Sequence, residues 1–214
     1  MNSLTVKIKI CGLTRYEDAA LAAQLGAWGL GFIFSDNSPR SCPVKVAGEI
    51  IQRLEKDQIE VEKVGVFLDQ PAEEVNRIAA EVGLTFAQLH GSESPVDCAR
   101  VEVKVLKAIQ QLNLNDPEIL DAYPYWLLMD ATRAGDNWGG TGHIADWLQA
   151  KTIARRYPLF LAGNLGSDNI VQALEAVHPF GVDLSSSIEV SPGIKDHDKL
   201  RQLFHVLKDA GYIR

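Results

Sequence analysis

The chain has 214 residues, of which 46% are hydrophobic and 23% charged, the composition of a folded globular protein. Its formal net charge is −7 and it has no dense run of lysine or arginine, so we do not expect a nucleic-acid-binding or membrane-binding surface. No apolar stretch approaches the roughly 20 residues of a membrane-spanning helix, and no signal-like segment opens the sequence. We expect one cytoplasmic domain over residues 1–214.

Three cysteines, Cys11, Cys42 and Cys98, are too few and too widely spaced to predict a disulfide framework or a zinc site. No acidic or basic motif surrounds Cys42 or Cys98, so we interpret both as structural. Cys11 differs from both, because it lies between a predicted strand and a predicted helix.

Eight segments rich in apolar and β-branched residues predict strands. They cover residues 6–10, 29–34, 63–67, 86–89, 102–106, 126–130, 158–162 and 181–184. Apolar residues with helical spacing lie between several of them, as in Val75, Ile78, Ala79 and Val82. Nearly continuous apolar strands that alternate with helices favour a parallel sheet with both faces covered. Eight such units predict an α/β fold, a closed (β/α)8 TIM barrel.

Helix ends are predicted from local motifs. Thr14 and Glu17 have the spacing of a capping box, Ser167 fits an N-cap and Gly83 a C-terminal stop. Three prolines fit first-turn positions: Pro43, Pro71 and Pro117. An open doubly wound sheet is the alternative fold, but it usually has a glycine fingerprint after its first strand, which this chain lacks.

Cys11 stands where the first strand passes into a helix. In barrels of alternating strands and helices, the carboxyl ends of the strands carry the chemistry. The sequence leaves two interpretations open, because a lone cysteine is more often a small buried hydrophobe than a reactive thiol.

Two loops of small residues follow the last two predicted strands. The first contains Gly163 and Asn164, and the second contains Ser185, Ser186 and Ser187. Small residues let backbone N–H groups approach an anion, and these loops are where barrels frequently bind phosphate. Glu189 would repel a phosphate there, so we expect its carboxylate to face away.

Acidic and basic side chains lie at the ends of other predicted strands. Asp130 closes the sixth strand and is a candidate proton donor, although an isolated Asp is more commonly a cap or loop residue. Asp183 on the eighth strand and His90 after the fourth are each either packing residues or functional ones. Arg40, after the second strand, has the planar fork that grips a carboxylate, although most arginines are simply solvated.

The remaining histidines fall in loops or helices without the spacing of metal ligands, so we expect no metal site. They are His143, His178, His197 and His205.

Eight motifs in order resemble the phosphoribosylanthranilate isomerase family across nearly the whole chain. They are Lys9-Ile10-Cys11-Gly12-Leu13-Thr14, Gly31-Phe32-Ile33-Phe34 with Ser38-Pro39-Arg40, Val64-Gly65-Val66-Phe67, Gln88-Leu89-His90-Gly91, Met129-Asp130-Ala131, Gly139-Gly140-Thr141-Gly142, Leu161-Ala162-Gly163 and Ser191-Pro192-Gly193-Ile194-Lys195-Asp196.

The resemblance implies an isomerase of tryptophan biosynthesis that performs an Amadori rearrangement without metal or organic cofactor. It implies Cys11 as general base, Asp130 as general acid and Arg40 as the group that binds the anthranilate carboxylate. It places His90 and Asp183 near the substrate. The phosphate would lie on the last two loops, at Gly163, Asn164, Ser186 and Ser187. We expect a sugar-phosphate substrate and a monomer or homodimer.

Two positions depart from the family's usual glycines, at Asn164 and Ser187. Asparagine tolerates left-handed backbone better than most residues, and serine offers a hydroxyl donor. We therefore expect altered phosphate affinity rather than altered chemistry.

The reaction needs a thiolate and a protonated carboxyl group at neutral pH, which neither residue provides in water. We expect a dry site around Asp130, and a positive charge near Cys11 from Lys9 or a helix N-terminus.

Three alternatives remain. A metal-dependent epimerase needs inward His and Asp ligands, and a Schiff-base lyase needs an inward lysine, for which Lys104 and Lys107 are the nearest candidates. A catalytically silent sensor of a phosphorylated ligand would keep the same fold.

Overall fold

The computed structural model describes residues 5–109, 119–123, 125–130 and 147–213. Within these ranges, eight parallel strands pair in chain order and close into a barrel, which confirms the predicted fold. They are β1 Lys7–Ile10, β2 Gly29–Ile33, β3 Glu62–Phe67, β4 Phe86–Leu89, β5 Lys104–Ala108, β6 Trp126–Asp130, β7 Leu159–Ala162 and β8 Gly181–Leu184. The fifth strand lies further along the chain than predicted, because Phe86 pairs with Lys104 and Leu106 with Trp126.

Helices connect the strands on the outside of the barrel. Those in the described ranges are α1 Tyr16–Leu25, α2 Val44–Lys56, α3 Ala72–Val82, α4 Pro95–Ala99, α5 Trp147–Ala154, α6 Ile170–Val177 and α7 His197–Asp209. Short 3-10 helices cover Ile119–Ala122 and Ser186–Ile188. After β8, the antiparallel strands β9 Glu189–Ser191 and β10 Ile194–Lys195 form a small hairpin.

Alternation along the strands divides the apolar residues between two layers. Ile8, Leu30 and Phe32 belong to the layer between sheet and helices, while Leu128 and Phe160 belong to a separate cluster inside the barrel. Rings at the strand starts pack at centroid distances of 4.8 to 5.9 Å and fill the amino-terminal end of the barrel: Trp28, Phe86, Trp126, Phe160 and Phe180.

Several helix ends differ from the local predictions. The capping box at Thr14 is wrong: α1 begins at Tyr16 after Arg15, and the Thr14 hydroxyl donates instead to Gly193 O at 2.6 Å. The N-cap of α6 is Asn169, not Ser167. At Thr14, a tertiary contact takes up the hydroxyl that the cap prediction had assigned to the helix. At α6, the Asn169 side chain bonds within the preceding loop, to Gly166 N and Asn164 O, and α6 begins after it.

Pro43 and Pro71 are N-cap residues, one position before the predicted first turn. Gly83 ends α3 with φ +75°, as predicted. Pro117, His143 and the motif Gly139-Gly140-Thr141-Gly142 lie outside the described residues.

Candidate active site

A cavity at the carboxyl ends of the strands brings the predicted site residues together. Its walls include Cys11, Arg40, His90, Asp130, Asp183, Gly163, Asn164, Ser186 and Ser187. Cys42 and Cys98 are buried in the layer between sheet and helices, away from this cavity. Eight strands end on one rim, so residues far apart in sequence become neighbours there.

A buried ion pair lies beside the Cys11 thiol. Lys9 is fully buried and its Nζ donates to Asp183 Oδ1 at 2.8 Å. Burial alone would lower the Lys9 pKa, but the charges of Asp183 and Cys11 raise it above its ordinary value. Burial raises the pKa of Asp183, and Lys9 opposes that change. Lys9 is thus charged at neutral pH.

Burial raises the pKa of Cys11 above its ordinary value, while Lys9 and Lys195 act in the opposite direction. The expected positive charge is therefore present in Lys9, but it does not outweigh desolvation. We infer that the thiolate of the unliganded chain is a minority species at neutral pH.

The backbone of Cys11 is fixed on both sides. Its N–H donates to Leu184 O at 2.8 Å, and its carbonyl accepts from Lys195 Nζ at 2.6 Å and from Ser185 Oγ at 3.2 Å. A Cβ on Gly31 would lie 2.8 Å from Cys11 Sγ, so only glycine leaves room for the thiol.

The Gln88 amide orients the ring of His90. Gln88 Nε2 lies 3.0 Å from His90 Nδ1, at hydrogen-bond distance. Burial lowers the pKa of His90, which favours the neutral ring. Gln88 Oε1 is buried and accepts no hydrogen bond within the described part of the chain. Gln88 also lines the cavity and is not among the predicted site residues, although its two-residue spacing from His90 places both on the same face.

Arg40 lines the cavity but is already engaged by Glu189. Its Nε donates to Glu189 Oε1 at 3.1 Å and to Oε2 at 2.9 Å, and its Nη2 lies 2.9 Å from Oε2. The buried Lys195 also donates to Glu189 Oε1, at 2.7 Å. As expected, the Glu189 carboxylate is directed away from the cavity. No feature of the sequence predicts its two partners, Arg40 and Lys195.

The two loops after β7 and β8 have the backbone expected of an anion site. Gly163 and Asn164 have φ of +100° and +46°. The Ser187 hydroxyl donates to Leu165 O and so ties the second loop to the first, which makes it a structural link rather than the free donor we considered. Among the described residues, the N–H groups of Asn164, Ser186 and Ser187 donate to no backbone or side-chain acceptor. They are free to meet a bound anion.

Neither lysine considered for a Schiff base reaches the cavity. Lys104 lies at the start of β5 with its ammonium 5.0 Å from the Phe86 ring. Leu106 and Ala108 face the barrel interior, so Lys107 between them faces outward. On that outer side, Lys107 Nζ donates to Glu93 Oε2 at 2.8 Å and to Gly91 O at 2.6 Å.

The described ranges contain no group of His, Cys, Asp or Glu side chains able to hold a metal ion. Over the same residues, none of the helices is both long and apolar enough to cross a membrane.

A (β/α)8 barrel with a thiol, carboxyl groups, an imidazole and an anion-binding backbone on one rim defines a barrel enzyme that acts on a phosphorylated ligand by proton transfer. The model of the N-(5'-phosphoribosyl)anthranilate (PRA) isomerase family matches residues 8–206. The chain belongs to this family and is an isomerase.

Individual relatives agree. The N-(5'-phosphoribosyl)anthranilate isomerase of Syntrophus aciditrophicus is 41% identical over 209 residues, which cover 97% of this chain and 90% of that protein. The solved phosphoribosyl anthranilate isomerase of Thermotoga maritima has a TM-score of 0.86 and 32% identity, with 95% of this chain and 99% of that chain covered. Another structure of such an isomerase, with a TM-score of 0.82, 32% identity and the same coverage, is a complex with reduced 1-(o-carboxyphenylamino)-1-deoxyribulose 5-phosphate.

Proposed function

We propose that the chain converts N-(5'-phosphoribosyl)anthranilate into 1-(2-carboxyphenylamino)-1-deoxyribulose 5-phosphate for tryptophan biosynthesis, with Cys11 as general base and Asp130 as general acid. The observation that carries these roles is the single cavity lined by both residues, which end strands β1 and β6 on different sides of the barrel. The relative bound to the reduced form of this product supports the substrate assignment.

The proposed reaction has three steps. Asp130 donates a proton to the furanose oxygen while the C1'–O bond breaks, and the nitrogen lone pair forms a C1'=N iminium. The Cys11 thiolate removes the C2' proton, and that electron pair forms the C1'=C2' bond of a neutral enolamine. The enolamine loses its O–H proton and gains one at C1', which gives the ketone. The iminium of the substrate is the electron sink, so this chemistry requires no cofactor.

The other cavity residues would bind the substrate. We assign the anthranilate carboxylate to Arg40, because a guanidinium fork matches a carboxylate. We assign the phosphate to the backbone N–H groups of Asn164, Ser186 and Ser187, with Gly163 allowing close approach. Asp183 and His90 would face the ribose.

Gln88 Oε1 is a further candidate for a ribose hydroxyl, since a buried acceptor without a partner loses free energy until a ligand satisfies it.

We also propose that residues 1–214 act as one catalytic domain in the cytoplasm, as a monomer or homodimer. Analytical ultracentrifugation at several concentrations separates the two oligomeric states.

The decisive experiment measures the disappearance of phosphoribosylanthranilate, generated in situ from anthranilate, with Cys11→Ser and Asp130→Asn. A positioned acid or base contributes about 10²- to 10⁴-fold, so each variant should lose kcat by that order. Cys98→Ser is the matched control, because Cys98 is also a buried thiol but lies outside the cavity, and this variant should keep the wild-type kcat.

Near-wild-type rates in Cys11→Ser or Asp130→Asn would remove the corresponding role. If the wild-type chain binds the substrate without converting it, the silent sensor is correct instead. For Arg40→Ala we expect a raised KM with a smaller change in kcat, and an unchanged KM would exclude the carboxylate contact.

A further inference from the structure

Glu189 lies between two cations that come from different parts of the chain. Arg40 follows β2, Lys195 is in β10, and both reach the Glu189 carboxylate within 3.1 Å. Gly193 N also donates to Oε1, at 3.2 Å. The two carboxylate oxygens have different donors: Oε1 accepts from Lys195, Gly193 N and Arg40 Nε, whereas Oε2, among the described residues, accepts only from Arg40.

The contact with Glu189 uses one edge of the Arg40 guanidinium. Nε and Nη2 face the carboxylate, and the group is planar, so these bonds fix both its plane and its direction. The outer edge, formed by Nη1 and Nη2, remains for a second carboxylate. The Arg40 side chain also packs over Gly12, where a Cβ would lie 2.8 Å from its Cδ.

Lys195 anchors this arrangement to the reaction centre. Its buried Nζ donates to Cys11 O at 2.6 Å as well as to Glu189. Burial alone would raise the pKa of Glu189, but Arg40 and Lys195 lower it below its ordinary value, so the residue is ionised at neutral pH. The three charges form one connected group that reaches from the backbone of Cys11 to the side chain of Arg40.

We infer that Glu189 is a positioning residue, which, held by Lys195, aligns the outer edge of Arg40 toward the carboxylate of the aromatic substrate. This inference rests on the proposed function of Arg40. A purely structural residue would affect the binding of every ligand. A positioning role for Glu189 affects only the binding of ligands that carry the aromatic carboxylate.

The test uses Glu189→Gln, whose amide distinguishes the contact with Lys195 from the contact with Arg40. The carbonyl oxygen can still accept from Lys195 and Gly193 N, but the amide nitrogen then faces Arg40 and can only donate. Glu189→Asp is the second variant: it keeps the negative charge but withdraws the carboxylate from Arg40 and Lys195 by one methylene.

Binding measurements with two ligands distinguish a positioning role of Glu189 from a structural role. One is reduced 1-(2-carboxyphenylamino)-1-deoxyribulose 5-phosphate, and the other is the same molecule without the ring carboxylate. Both Glu189 variants should bind the first ligand about tenfold or more weakly than the wild type, because a charge-assisted contact is misplaced. Both should bind the second ligand as the wild type does. KM should rise more than kcat falls.

Glu93→Gln is the matched control. Glu93 is also a buried carboxylate bonded to a buried lysine, Lys107, and it contacts neither Arg40 nor the cavity. We define the affinity ratio as the affinity for the ligand with the ring carboxylate divided by the affinity for the ligand without it. Glu93→Gln should lower the unfolding temperature and leave this ratio unchanged.

Comparison of the single variants Arg40→Ala and Glu189→Gln distinguishes the two proposals. If Arg40→Ala leaves the affinity ratio unchanged, the proposed contact of Arg40 is wrong. If Arg40→Ala lowers the ratio and Glu189→Gln does not, only the present inference fails. Tighter binding of the carboxylate ligand by Glu189→Gln would also overturn it, since Glu189 would then be a competitor for Arg40. Equal losses for both ligands would indicate a structural role.

Discussion

Lys9 donates to Asp183 at 2.8 Å in the barrel interior, and the Cys11 thiol lies close enough to this pair for both charges to act on its pKa. The ammonium lowers the Cys11 pKa and the carboxylate raises it. Burial is the largest influence on how easily the proposed base ionises, and the ion pair adjusts it.

Removing the Asp183 charge alone and removing both charges of the pair should shift the pH profile of activity in opposite directions. In Asp183→Asn, the Cys11 pKa falls because a nearby negative charge is lost, so the alkaline rise of kcat/KM moves to lower pH. In Lys9→Met/Asp183→Asn, the effect of Lys9 is also lost. Because Lys9 lowers the Cys11 pKa more than Asp183 raises it, the alkaline rise of kcat/KM should move to higher pH than in the wild type. The rate of Cys11 alkylation by iodoacetamide against pH measures both shifts. Shifts of the same sign would contradict this assignment.

Gly31→Ala should disable the site without disrupting the fold. The new Cβ would lie 2.8 Å from Cys11 Sγ and 3.1 Å from Lys9 Nζ, so the thiol must move. A misplacement on this scale costs up to about 10²-fold in kcat. The control is Gly48→Ala in α2, where the Cβ would lie 3.5 Å from Val82, an ordinary contact. Calorimetry should show that Gly48→Ala stabilises the chain by about 0.5–1 kcal/mol, with unchanged kcat.

Asn164→Ala should cost stability that Asn164→Gly does not. The φ of +46° at Asn164 is in the left-handed region, where a side chain with a Cβ is strained by about 1–2 kcal/mol unless, as in asparagine, its polar group assists. Asn164→Ala should therefore unfold at lower temperature and raise KM, because its backbone N–H is displaced from the proposed phosphate site. Equal unfolding temperatures for the two variants would show that this backbone strain is unimportant.

Glu189 should stabilise the chain in a pH-dependent manner. Its pKa in the folded chain lies below the ordinary 4.5, so its stabilisation is complete above that value and is lost as the pH falls toward the folded pKa. The free energy of unfolding of the wild type should exceed that of Glu189→Gln by a constant amount above about pH 5.5, and the difference should shrink below about pH 4.5. Urea unfolding between pH 3 and 8 measures it, and a constant difference throughout would contradict the lowered pKa.

Local rules predicted the strand order and the rim residues well. Apolar runs followed by Cys11, His90 or Asp130 indicate where parallel strands end, and a barrel brings all strand ends to one edge. The same rules failed at Thr14, because a cap prediction considers only neighbours in sequence, while the Thr14 hydroxyl bonds to Gly193.

By itself, the sequence determined the barrel, its direction and the residues that reach its mouth, because periodicity and strand ends are local properties of the chain. Only the tertiary structure decided which charges compensate one another. Arg40 and Glu189 are 149 positions apart, and Lys195 meets both Glu189 and the carbonyl of Cys11 only because the β9–β10 hairpin packs against the segment that follows β1. Coulomb energies depend on distance and burial, and neither quantity is encoded in any short segment of the sequence.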